Sequence, residues 1–392
     1  MLRVINCHYN FVRVVVILHE KGNAAVMVGF NNPFEVIEYP LPKVEPGAIL
    51  VRMLSAGICG TDVHTWLGHT GGKVLSFPVI LGHENVGEIA ALGEGVERDW
   101  AGEPISVGDR ITWPTTIGRY CYRCYNCVVA GIPNKCLNRR TYGAALSCDK
   151  PPHFTGGWAQ YCYLFPETAV FKLPKDLPAD ALVAVGCAAP TMIHASERAG
   201  IREGDTVAVQ GSGAVGLFGT IIAKESGADK VIVIGGPKER LELAKKWGAD
   251  HTIDISEVKD PEERIRLVKE YSIGGQGADV VFECSGVPNA FAEGVRMARD
   301  GGTYVVVGQF MDAGPVEGFH PFWVTFKHIT IKGSYSWEPR HTWRAVRFMA
   351  RTNSKYKFAD LVSHRFPLEE TTKAVEMVRD WKVVKAVLDP WM

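Results

Sequence analysis

One strand leads into a helix through three spaced glycines, and few folds tolerate that pattern. Thr206-Val207-Ala208-Val209-Gln210 reads as a buried strand, and Gly211-Ser212-Gly213-Ala214-Val215-Gly216 then opens a helical stretch running to about Ser226. Gly211 makes the tight turn, Gly213 lets backbone approach a pyrophosphate, and Gly216 lets helix and strand pack closely. Ala214 and Val215 fall in the first helical turn, where free N–H groups and the positive end of the helix dipole favour phosphate. Alone, the fingerprint is a weak signal. Here five more strand candidates follow, at residues 230–234, 251–255, 278–283, 302–307 and 328–332, with helical stretches such as 238–247 and 261–271 between them. Six strands joined by right-handed crossovers make a complete doubly wound parallel sheet of the Rossmann type. Ligands bind outside the carboxyl ends of such strands. Ser285, in Glu283-Cys284-Ser285-Gly286, and Val307 and Gly308 after the fifth strand are therefore expected at the dinucleotide.

The second strand should end in Asp or Glu, about 20 residues past the fingerprint, to hold the adenosine ribose hydroxyls. Here it ends Val233-Ile234-Gly235-Gly236-Pro237-Lys238-Glu239-Arg240. Gly235 stands where the carboxylate is expected, so nothing at that position repels a 2′-phosphate. Lys238 and Arg240 suit pairing with that phosphate, and equally suit a solvated helix start. NAD and NADP both stay open.

A second organising stretch runs from Cys59-Gly60-Thr61-Asp62-Val63-His64 to Gly82-His83-Glu84-Asn85-Val86-Gly87. Thiolate, imidazole and carboxylate are the ligand types of a zinc site that does chemistry. The Thr61 hydroxyl and the His64 imidazole are suited to moving a proton away from it. A plainer reading fits the same residues: His83-Glu84 as a surface dipeptide and Cys59 as a buried thiol. Further on stands Cys121-x2-Cys124-x2-Cys127-x8-Cys136. Four thiols at this spacing can make a closed tetrahedral site with no open position, a structural zinc. Four unrelated buried cysteines are the alternative, and the spacing argues against it.

At 392 residues, two domains of ordinary size are expected. Apolar residues make up 46% and charged residues 22%, as in a globular protein. Forty-three basic and 43 acidic residues leave no electrostatic footprint for nucleic acid, and no apolar run has the length of a membrane helix. Four of the ten cysteines cluster with metal spacing, so reduced thiols in a cytoplasmic protein fit better than a secreted disulfide framework.

The segment Gly82-His83-Glu84-x2-Gly87-x5-Gly93-x2-Val96 resembles the zinc signature of the medium-chain dehydrogenases, the zinc alcohol dehydrogenase superfamily. The resemblance runs from about Ala24 to the C-terminus. It implies an α/β architecture in which the Rossmann sheet is inserted into a GroES-like, barrel-like β domain, whose strands include residues 24–27, 34–38 and 49–53. It assigns Cys59, His83 and Cys187 to a catalytic zinc. Without it, Cys187 would read as a small buried hydrophobe. Glu84 ligates zinc in relatives acting on polyols; with Cys187 present, it is assigned to the surroundings of the metal or to an exchangeable position. The four-cysteine lobe becomes a structural zinc, giving two Zn2+ per chain. The family's last gap there is usually seven residues, against eight here, which alters the loop but not the ligands. Thr191 falls near the nicotinamide face, and the alcohol proton would leave through Thr61 and His64.

The resemblance divides the chain into an appendage at 1–23, a catalytic domain at 24–187 with its zinc lobe at 121–136, a Rossmann domain at 188–332 and a return segment at 333–392. It implies an enzyme moving a hydride between a secondary alcohol and NAD or NADP, assembled as a homodimer or homotetramer. A polyol- or threonine-type dehydrogenase of the same family is the nearer alternative. The zinc-free quinone reductase branch lacks the thiol and histidine ligands present here. A non-catalytic nucleotide-binding protein is the alternative of another class. Trp66 and Trp113 are candidates for the wall of an apolar substrate pocket, and equally for core.

Overall fold

The computed structural model describes residues 20–70 and 75–392. Most of the 1–23 appendage lies outside the described residues. Two compact units emerge: one holds the chain up to Cys187 together with Glu338–Met392, and the other is Ala188–Trp337. The second unit ends at Trp337, five residues past 332.

In the first unit, β1 (Lys21–Met27) pairs with β2 (Glu35–Pro40), and β4 (Val79–Ile80) adds to its other side. The strand starts at Lys21 rather than Ala24, because Gly22 and Asn23 pair with Tyr39 and Glu38. The 1–23 boundary is corrected accordingly. A larger sheet holds β3 (Ile49–Gly57) and β5 (Glu84–Leu92) at its centre, flanked by β6 (Arg110–Thr112), β7 (Tyr161–Leu164) and β8 (Phe171–Lys172). Strand β5 begins at Glu84, inside the zinc signature. Glu84 and Asn85 join the ladder because they face Gly57 and Ala56 of β3. The middle of the zinc signature therefore sits on a central, buried strand, with His83 immediately before it.

In the second unit, β9 (Thr206–Gln210), β10 (Lys230–Gly235), β11 (His251–Asp254), β12 (Ala278–Glu283), β13 (Ala298–Val306) and β14 (Thr330–Gly333) form one sheet. Its order is β11-β10-β9-β12-β13-β14, with every described pair parallel. That is the doubly wound order, with the switch point beside β9. Such strands are covered on both faces, and β9 is buried along its whole length.

The chain returns to the first unit through a helix at Pro339–Tyr356, then β15 (His364–Phe366), a helix at Thr371–Arg379 and β16 (Ala386–Leu388). Strand β16 pairs antiparallel with the end of β3, Val387 opposite Gly57. This brings the start of β16 beside the residues that lead into Cys59, the Ile58 N–H donating to Ala386 O at 3.0 Å. Trp66 and Trp113 are buried within the core of this unit. No single helix among the described residues is long and apolar enough to cross a membrane.

Gly216 illustrates how the fingerprint constrains packing. A Cβ placed there would overlap the Gly211 carbonyl oxygen and lie 2.9 Å from the Gly211 carbonyl carbon. Gly216→Val should therefore destabilise the second unit by about 1–3 kcal/mol, read as a lower midpoint in denaturant unfolding, and weaken nicotinamide dinucleotide binding.

Candidate active site

Cys59 immediately precedes a short helix, Gly60–Trp66, and its backbone N–H donates to Asp62 Oδ2 at 2.8 Å. The other Asp62 oxygen, Oδ1, lies 3.2 Å from His83 Nδ1. One buried carboxylate thus fixes the backbone of one ligand and the ring of another. With Nδ1 donating to Asp62, His83 keeps Nε2 free to ligate. Glu84 is the next residue and is 1% exposed. Cys187 follows the short helix Val183–Gly186 and is 8% exposed. One donor atom from each of Cys59, His83, Glu84 and Cys187 lies within 4.8 Å of the others. The residues predicted from the sequence are brought together.

The charges in this cluster are strongly coupled. Cys187 donates a hydrogen bond to Cys59, which lowers the Cys59 thiol well below its usual range, helped by His83 and Lys385. The same bond, reinforced by burial, pushes Cys187 well up. Burial works against a charge on His83, but Asp62 and the Cys59 sulfur outweigh it and raise the imidazole. Burial pushes Glu84 up to about 7 despite the ion pair it makes with Lys385. Two sulfurs and a carboxylate that repel one another when ionised, beside an imidazole with a free ring nitrogen, are a donor set suited to a divalent metal such as zinc. The Thr61 hydroxyl lies 3.8 Å from the Cys59 sulfur, and His64 is exposed at the end of the same helix.

The sequence reading missed Asp62 and Lys385. Asp62 had a local signal, a carboxylate three residues after the cysteine within the quoted motif. Lys385 had none, because only the pairing of β16 with β3 carries it to Glu84.

Cys121, Cys124, Cys127 and Cys136 form a second cluster with sulfurs within 4.8 Å of one another. Cys124 precedes a single helical turn, Tyr125–Val128, which returns Cys127 toward it. The Arg123 backbone N–H and the Asn138 side chain lower the Cys121 thiol to about 6. Neutral hydrogen-bond donors aimed at sulfur favour thiolates, the form a metal binds.

In the second unit, Gly211, Gly213, Ala214, Val215 and Gly216 connect β9 to the helix Ala214–Glu225. Ser285, Val307 and Gly308 follow β12 and β13 at the same carboxyl edge. Glu283, unassigned from the sequence, is fully buried and ties these loops together. Its Oε1 accepts from the Ser285 and Gly286 N–H groups at 2.8 and 2.7 Å, and its Oε2 from the Gly308 N–H at 3.0 Å. Thr191 is half-buried in the helix Ala188–Ala199. Gly235 ends β10, but there is no room there for a carboxylate side chain. A Cβ would lie 2.8 Å from the Ser212 backbone nitrogen. Ser212 fills that space and anchors the next residue, its Oγ donating to Gly236 O at 2.9 Å and accepting from Gly236 N at 3.0 Å. Lys238 is exposed at the following helix start and Arg240 is half-buried.

Residues 45–175 match the alcohol dehydrogenase GroES-like domain, and residues 214–351 match the zinc-binding dehydrogenase domain. The 5-exo-hydroxycamphor dehydrogenase of Pseudomonas putida is 37% identical over 94% of this chain and 98% of its own length. The chain belongs to the zinc-dependent medium-chain dehydrogenase family. An alcohol dehydrogenase of Thermotoga maritima superimposes with a TM-score of 0.87, at 36% identity, covering 94% of this chain and 99% of its own. A zinc-binding dehydrogenase of Sinorhizobium meliloti bound to NADP superimposes with a TM-score of 0.81, at 29% identity, covering 95% of this chain and 100% of its own. Other relatives, at 31–33% identity, are L-threonine 3-dehydrogenases and a sorbitol dehydrogenase. This medium-chain dehydrogenase is therefore a zinc-type alcohol dehydrogenase acting on CH–OH donors with a nicotinamide cofactor, on a Rossmann plus GroES-like fold.

Two substitutions separate the metal clusters. Asp62→Asn should weaken zinc binding at the Cys59 cluster by about 10–100-fold, measured by chelator competition, while the four-cysteine lobe keeps its metal. Cys124→Ser should release metal from the lobe and lower Tm by roughly 5 °C or more, followed by calorimetry with metal analysis.

Proposed function

We propose that this dehydrogenase oxidises a cyclic or otherwise bulky secondary alcohol, reversibly, at the Cys59–His83–Cys187 site, and carries two zinc ions per chain. The observation that carries the reading is the buried two-sulfur, one-imidazole donor set with Asp62 behind His83. When bound, zinc supplies Lewis-acid polarisation of the alcohol oxygen and the nicotinamide supplies the hydride acceptor. Cys59, His83 and Cys187 hold the metal. Asp62 orients His83. The Thr61 hydroxyl accepts the alcohol proton as it passes its own on, and His64 carries the released proton outward. Lys385 holds Glu84 back, leaving it available as an exchangeable ligand. The substrate class is supported by the hydroxycamphor dehydrogenase, which matches along nearly its full length.

Cofactor contacts fall to Gly211, Gly213, Ala214, Val215, Gly216, Ser285, Val307 and Gly308, with Thr191 at the nicotinamide. Because Gly235 carries no carboxylate and Lys238 is exposed close by, both NAD and NADP are accommodated. The lobe of Cys121, Cys124, Cys127 and Cys136 holds the second zinc and acts on stability. The nine described cysteines are free thiols, in keeping with a cytoplasmic enzyme. Assembly as a homodimer or homotetramer is the family expectation. A polyol-type reaction is the second reading, favoured by the Glu84 carboxylate lying among the ligand atoms.

The test is a panel of cyclic secondary alcohols, linear polyols and L-threonine, assayed with NAD and with NADP. The cyclic alcohols should give the highest kcat/KM, and preference for the polyols would move the assignment to the second reading. Cys59→Ala should lose one zinc and all turnover. Retained activity in that variant without the metal would remove the catalytic-zinc assignment.

A further inference from the structure

His64 does not stand alone. The helix Gly60–Trp66 ends in a tight turn: the Gly68 N–H donates to Thr65 O at 3.0 Å and the His69 N–H to His64 O at 2.9 Å. Gly68 sits at φ 81°, a left-handed conformation suited to glycine, and the turn folds His69 back over His64. The two Nδ1 atoms are 3.1 Å apart, with ring centroids 5.4 Å apart and ring planes inclined by 42°. Both imidazoles are exposed. A hydrogen bond between two Nδ1 atoms requires one ring to bear the proton there and the other to present its lone pair.

We propose that His69 is the outer member of a two-imidazole proton wire, taking the proton from His64 and delivering it to solvent. This rests on the reading of His64 as the outward proton carrier. In alcohol oxidation His64 begins with its proton on Nδ1 and a free Nε2, and His69 with a free Nδ1 and its proton on Nε2. A proton arriving at His64 Nε2 is matched by transfer of the Nδ1 proton to His69 and by loss of the His69 Nε2 proton to water. One proton enters and one leaves, and no electrons move. The pair ends in the opposite tautomers, which is the starting arrangement for ketone reduction. The wire thus serves both directions.

The surroundings favour a neutral start. Partial desolvation and then the neighbouring His69 imidazole lower the affinity of His64 for a proton, opposed by the Cys59 sulfur. Of the elements packed on this helix, Thr371–Arg379 brings a cation, Arg379, whose guanidinium lies 5.9 Å from the Trp66 ring centroid. Asp62, on the helix itself, is occupied by His83 and the Cys59 N–H.

The test compares His69→Asn, His69→Gln and His64→Asn in zinc-loaded enzyme, with the best alcohol of the panel, in dilute and concentrated buffer and with added imidazole. Asparagine can keep a hydrogen bond toward Nδ1 but cannot relay a proton. His69→Asn should lower kcat roughly ten- to a hundredfold in dilute buffer, leave KM and zinc content unchanged, and recover with imidazole. Loss of activity that neither buffer nor imidazole restores, in both His69 variants, would reduce His69 to a packing role and overturn the wire. Parent-like His69 variants beside a slow His64→Asn would overturn the wire but leave the His64 reading intact. Parent-like behaviour of His64→Asn as well would remove that underlying reading.

Discussion

The first unit is built around a burial problem. Two thiols, two carboxylates and an imidazole converge where little water reaches them, with Lys385 as the cation paired to Glu84. Charge taken out of water is costly unless it is compensated. The side chains shift in opposite directions in response: the Cys59 thiol is lowered, Cys187 is raised, and burial raises Glu84. A divalent ion would compensate both thiolates together. The metal therefore belongs to the electrostatics of the fold as well as to the chemistry.

That requirement explains why distant parts of the chain meet here. Cys59 follows the end of β3, Glu84 begins β5, and Lys385 immediately precedes β16, so neighbouring strands of one sheet bring them together. Cys187 arrives from the short helix at Val183–Gly186, just before the chain enters the second unit. The reach of Asp62 to both Cys59 and His83 shows the same economy, one side chain fixing the backbone of one and the ring of the other through hydrogen bonds.

Features governed by local spacing were legible in the sequence. The glycine fingerprint imposes backbone requirements on consecutive residues, so the β9 turn and the parallel sheet order followed from it. The four-cysteine cluster was equally readable, because its thiols lie within one short segment. Cys187 was not legible without the family resemblance, being more than a hundred residues from His83 and surrounded by ordinary core residues. Lys385 and Glu283 escaped notice because their roles arise from strand pairing and loop convergence. Polar Glu84 concealed the start of β5, and Gly235 looked open to a carboxylate until Ser212 was seen to occupy the space.

The central claim is that the Cys59 cluster holds a metal through two sulfurs and one imidazole, distinct from an all-sulfur lobe. Zinc K-edge X-ray absorption on the full enzyme tests it most directly. Averaged over the two sites, about three sulfur neighbours per zinc at roughly 2.3 Å are expected, with nitrogen or oxygen completing the shell. Loading to a single zinc with four sulfurs and no nitrogen would contradict the account, because it would leave the Cys59 cluster without its metal.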